Sequence, residues 1–332
     1  HYEQEPPTTQ RDFQRRLAHF ISCNALPDMP QSSPGGLNHE PQFTAYDDSD
    51  IDTNVVRLKR GNVRVQFFAI FIEPWLKQEQ KFTTALEQVE LFYEKVLKAD
   101  QALKHIRNWK ELKRLKEGEI GAILALEGTD AIGDDVTKLK MLYELGVLSV
   151  GLTWNYANLC ADGALEPRGA GLTELGKRVV HLNNERNVLT DVSHLSERGF
   201  WDVIEIAERP FASHSNARAL CDHPRNLSDE QIKALVTKNG YIGLVFYPIF
   251  LTGKEEATID DVLRHLEHLC ELGAGRNVGF GSDFDGIEHH VTDLCHSGHY
   301  DRLVNELLKR YSDETVRGFL SENFKRFVFR EI

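Results

Sequence analysis

Short apolar, β-branched runs alternate along this chain with longer amphipathic stretches, the pattern produced when buried parallel strands are joined by helices that cover them. Eight runs read as strands, over residues 18–22, 63–72, 121–126, 147–152, 188–192, 210–213, 241–246 and 277–281. Between them, helical periodicity covers 82–99, 131–145, 173–186, 196–207, 228–239 and 259–272. Ser196-Glu197 and Ser228-Asp229-Glu230 supply side-chain acceptors and acidic residues at helix starts, while Gly146, Gly240 and Gly273 close helices. Eight strands with intervening helices predict an α/β fold of the (β/α)8 TIM-barrel type, formed as a single domain over residues 1–332. An open dinucleotide-binding sheet is disfavoured, because no Gly-X-Gly-X-X-Gly follows the first strand. Two polar, glycine-containing segments, 27–52 and 156–171, follow strands and are expected as insertions on the C-terminal, active face.

Composition narrows the partners. The chain has 332 residues, 41% hydrophobic and 27% charged, with a formal net charge of −12. That acidic balance argues against nucleic acid and anionic membranes, and favours a small peptide or amide substrate. No run approaches the roughly 18 apolar residues of a transmembrane segment, so the default location is cytoplasmic; a start without Met leaves room for a removed leader. The five cysteines are scattered without a Cys-X-X-Cys pair and read as free thiols, and a homodimer stays open.

The chemistry gathers at the ends of the apolar runs. Glu127 follows Ile123-Leu124-Ala125-Leu126, where a carboxylate is costly unless it is paired, caps the next helix or binds a metal. His194 and His214 end two consecutive strand runs with the same Ser-His sequence, and imidazole suits zinc and similar ions. Either histidine alone reads as a hydrogen-bonded interior residue; with Glu127 the three read as metal ligands. Asp283 and Asp285 follow the eighth run. Asp283 is the candidate proton acceptor, catalytic in role, and Asp285 the turn former beside Gly286. Arg225 could hold a substrate carboxylate or pair with a neighbouring aspartate, and Trp154 and Asn155, closing the fourth run, could line the pocket.

Leu126-Glu127-Gly128, Asp191-Val192-Ser193-His194, Ser213-His214-Ser215, Pro224-Arg225-Asn226 and Gly281-Ser282-Asp283-Phe284-Asp285-Gly286 together resemble the membrane (renal) dipeptidase family, peptidase family M19, from about Phe20 onward. The resemblance implies a barrel with a two-metal, usually zinc, centre that hydrolyses dipeptides. By position, Glu127 would bridge the metals, His194 and His214 would hold one, Asp283 would accept the proton and Arg225 would grip the carboxylate. The family's other metal depends on a His-X-Asp motif on the first strand, where this chain reads Ser22-Cys23-Asn24-Ala25. In one register Cys23 and Ala25 replace the pair; in the other, Ser22 and Asn24 do. Trp154 stands where some members carry a substrate-binding histidine. The expectation is therefore a dipeptidase-like hydrolase using one divalent ion rather than two, zinc first, with the first-strand metal weakened or lost. The alternative is a non-hydrolytic descendant that binds a ligand or catalyses a metal-free rearrangement.

Overall fold

A computed structural model describes residues 51–330 and the two-residue strand Cys23–Asn24. Seven strands run parallel in one sheet: β2 (Val63–Phe71), β4 (Ile120–Glu127), β5 (Val147–Gly151), β6 (Leu189–Asp191), β7 (Pro210–Ala212), β8 (Tyr241–Leu244) and β9 (Val278–Phe280), each paired with the next. A short β3 (Leu103–His105) lies alongside β4, and β1 (Cys23–Asn24) pairs antiparallel with β2. The candidate strand at 18–22 and most of the insertion at 27–52 lie outside the described residues. Among the described residues no pairing joins β9 back to β1 or β2, so the observed architecture is a curved, mostly parallel α/β sheet rather than a demonstrated closed barrel.

Both faces of this sheet are buried, which is why β2 and β4 are apolar almost throughout instead of alternating. Along β2, Phe68 and Ile70 pack outward with the helices, while Val65, Phe67 and Ala69 belong to a separate inner cluster. The sheet curls strongly: the rings of Phe67 on β2 and Phe211 on β7 lie 6.4 Å apart, although three strands separate them. At the inner core, Phe324 from the last helix (Asn323–Phe329) meets Phe67 at 5.9 Å and Tyr241 at 5.3 Å.

The helices begin where their caps dictate. Ser196 Oγ accepts from Gly199 N at 3.0 Å, and Ser228 forms a reciprocal capping box with Gln231. No described helix is long and apolar enough to cross a membrane.

Register positions the site. Phe71 pairs with Glu127, Glu127 with Gly151, Gly151 with Asp191 and Asp191 with Phe211, so one row of residues crosses the sheet at its C-terminal rim. His194 and His214 each follow their member of this row by three residues. Gly128, at φ 88°, turns the chain sharply after Glu127 in a conformation that other residues resist.

Candidate metal centre

Glu127, His194 and His214 converge on the rim, with one ligand atom from each lying within 4.8 Å of the others. Nε2 of His194 is 2.9 Å from Glu127 Oε1 and 2.8 Å from Nε2 of His214. Zinc bonded tetrahedrally at about 2.0–2.2 Å would separate such atoms by roughly 3.3 Å, so the triad accommodates an ion with outward shifts of a few tenths of an ångström. Among the described residues it is the one His, Cys, Asp and Glu group of this kind.

The partners of the other ring nitrogens support the same assignment. His194 Nδ1 lies 2.9 Å from Asn155 Oδ1, and His214 Nδ1 lies 2.5 Å from Ser213 Oγ. Asn155 Oδ1 can only accept, so His194 carries its proton on Nδ1. Ser213 Oγ donates its own proton to Asp191 Oδ2 and therefore accepts from His214. Both imidazoles consequently present an Nε2 lone pair to the centre, the tautomer a metal requires.

Asp191 anchors this arrangement from below. Its Oδ1 accepts from the backbone N–H of Ser193 and of Ser213, both at 3.0 Å, and Ser193 Oγ accepts from His214 N at 2.9 Å. Burial pushes the Asp191 carboxyl up, while these donors pull it down. Sequence reasoning missed Asp191, Ser193 and Ser213. The signal was present, since a carboxylate inside the apolar run Leu189-Thr190-Asp191-Val192 carries the same burial cost that singled out Glu127.

Arg225 is brought to the centre from a loop and is only 3% exposed. Its guanidinium donates to Ser193 O and lies 2.8 and 3.1 Å from Nε2 of His214 and His194. A guanidinium offers no acceptor, which again assigns lone pairs to both ring nitrogens; these are the lone pairs an ion would take, so the guanidinium must withdraw from them when one binds. Burial lowers its pKa to about 10, against the charges of Asp283, Glu127 and Asp191, so it remains a cation at neutral pH.

Glu127 and His194 open into a cavity of about 500 Å³ whose lining also includes Arg225, Asp283 and Asp285. Asp283 is buried and left-handed at φ 62°. Asp285 Oδ1 accepts from Asp52 N at 2.8 Å, tying this loop to a segment 233 residues earlier. Trp154 packs edge-on against Phe71 at 5.3 Å and lies 6.4 Å from the His194 ring. Phe71, Tyr247 and Phe250, which sequence reasoning did not select, add aromatic wall.

Of the four altered first-strand positions, Cys23 and Asn24 are described. Cys23 pairs with Val65 and Asn24 with Val63, six and eight residues before Phe71, which at about 3.3 Å per residue lies some 20 Å or more along β2. Ser22 and Ala25 lie outside the described residues.

A triad of candidate metal ligands on the C-terminal rim of a helix-covered, mostly parallel sheet marks an α/β protein with a candidate metal site. The chain belongs to the membrane dipeptidase family, peptidase family M19, whose profile matches residues 10–332. It is 28% identical to an uncharacterized dipeptidase of Schizosaccharomyces pombe, over 97% of this chain and 83% of that protein. It is 29% identical to the dipeptidase aclJ of Aspergillus oryzae, over 82% of this chain and 68% of that protein. A crystal structure of a Rhodobacter sphaeroides metallopeptidase, liganded with a phosphinate mimic of L-Ala-D-Ala, superposes with a TM-score of 0.82 at 27% identity, covering 87% of this chain and 93% of that one.

Proposed function

We propose that this protein is a metal-dependent dipeptidase that uses one divalent ion, zinc first, held by Glu127, His194 and His214. The observation that carries the reading is the convergence of three ligand atoms whose two imidazoles are both fixed with Nε2 lone pairs inward. When bound, the ion lowers the pKa of water toward neutrality and polarises the scissile carbonyl. Asp283, buried at the cavity wall, takes the proton of the attacking water and returns it to the leaving amine. Arg225 holds the substrate's terminal carboxylate, and Trp154 with Asn155 confines the peptide beside it. The same reading takes the sheet as part of a closed (β/α)8 barrel.

The test is hydrolysis of L-Ala-D-Ala and a panel of dipeptides by the zinc-loaded protein, repeated after chelation and in Glu127→Gln. Turnover should disappear in both and return to the native protein on adding zinc. Undiminished turnover after chelation or in Glu127→Gln would overturn the assignment.

The altered Ser22-Cys23-Asn24-Ala25 segment favours one second reading, a non-hydrolytic descendant. It requires the native protein to be inactive on the whole panel. Brisk turnover by the native protein rules this reading out.

A further inference from the structure

The opposite end of the sheet carries a second cavity, also of about 500 Å³, at the N-terminal ends of β7, β8 and β9 and beneath the last helix. In a chain of net charge −12, its lining collects five cations, Arg209, Lys238, Arg276, Arg326 and Arg330, against a single carboxylate, Glu208. That carboxylate is already engaged, 3.2 Å from Arg330. The other four cations make no ion pair among the described residues.

Arg209 is the informative member, because it is 3% exposed and yet has no paired counter-charge among the described residues. Its Nη atoms donate to Asn187 Oδ1 at 2.7 Å and to the carbonyls of Phe327 and Val328 at 3.0 and 2.7 Å, which pins the end of the last helix against the sheet. These bonds hold the guanidinium in place without neutralising it. Its Nε, and that of Arg326, are buried without an acceptor among the described residues. Burial accordingly lowers the Arg209 pKa to about 10, and the charge of Arg330 adds to the effect while that of Glu208 opposes it. A buried cation with unspent donors, ringed by further cations, is costly unless an anion joins it.

We propose that this cavity binds a small phosphate-bearing anion, at a site separate from the metal centre and at the opposite end of the sheet. Phosphate fits better than a lone carboxylate because four uncompensated cations call for more than one negative charge. Guanidinium groups also match the oxygen spacing of a phosphate in paired hydrogen bonds. Lys238 and Arg276, both exposed at the mouth, supply the charge that admits the ligand, while Arg209 and Arg326 form the deeper wall.

The test is calorimetric titration of the zinc-loaded full chain with inorganic phosphate at constant ionic strength. Native protein should bind one equivalent saturably. The double variant Lys238→Glu, Arg276→Glu alters only exposed side chains and should bind at least tenfold more weakly. Arg225→Met, altered at the metal centre, should bind as the native protein does. Absence of saturable binding, unchanged affinity in the double variant, or loss in Arg225→Met alone would each overturn the proposal, the last by placing the phosphate at the metal centre.

Discussion

Replacing Asp191 by Asn keeps the size of the side chain and still offers one oxygen to the N–H groups of Ser193 and Ser213. What changes is the other atom, where an acceptor facing Ser213 Oγ becomes an NH2 donor. Ser213 Oγ then accepts from the new amide, and its own proton has two acceptors in reach, His214 Nδ1 at 2.5 Å and Ser193 Oγ at 3.2 Å, of which the shorter is favoured. His214 is pushed into the Nε2–H tautomer, with its lone pair facing away from the metal. Restoring the metal-binding tautomer requires Ser213 Oγ to accept from both the amide and His214 Nδ1 and to turn its proton to the longer Ser193 Oγ contact, in place of a hydrogen bond to a carboxylate, at a cost of about 1–3 kcal/mol. At 1.4 kcal/mol per tenfold, that is a loss of roughly 5- to 150-fold in metal affinity, in line with the 10- to 100-fold typical of groups that orient a metal-bound histidine. Zinc affinity is measured by competition with a chromophoric chelator, alongside thermal melting to confirm the fold. A folded Asp191→Asn protein binding zinc within twofold of native would refute the tautomer reasoning.

Gly281→Ala places a Cβ 1.8 Å from the carbonyl oxygen of Ser213 and 3.2 Å from His214 Cα, so it should destabilise the fold by about 1–3 kcal/mol and weaken zinc binding together; denaturant melts and the same zinc competition check this. Phe324→Ala empties the junction of Phe67 and Tyr241, at a cost of about 3–5 kcal/mol read from denaturant unfolding. His290 donates to Asp52 across 2.9 Å, and this hydrogen bond raises its pKa above the ordinary 6.5. Its stabilising contribution is therefore fully present below about pH 6.5 and is lost as pH rises through the elevated folded value. Melting His290→Gln beside the native protein should show a gap that narrows from pH 5.5 to pH 8.5; a gap that widens contradicts the linkage.

The long buried strands were legible because burial on both faces demands uninterrupted apolar residues: the run at 63–72 became β2 (Val63–Phe71), and that at 121–126 became the body of β4. β3 was missed, since Leu-Lys-His offers one apolar residue and pairs only with β4. Glu127, His194 and His214 were visible as polar residues ending apolar runs, and the structure brings them together. Asp191 carried a local signal, a carboxylate inside an apolar run, but its joining with Ser193 and Ser213 depends on register between β6 and β7, which no local pattern encodes. The closeness of Arg225 to both histidines is likewise a product of loop geometry.

Phe324 and Phe327 complete an inner core that begins with Val65 and Phe67, roughly 250 residues earlier in the chain. During synthesis the early strands can gather their outer helices in order, but the inner face lacks its aromatic floor until the last helix has left the ribosome. Consolidation of that core is therefore a late, long-range step whose loop-closure entropy is met only at the end. Nascent chains arrested before residue 324 should thus remain protease-sensitive and in need of chaperones, however many strands they already contain.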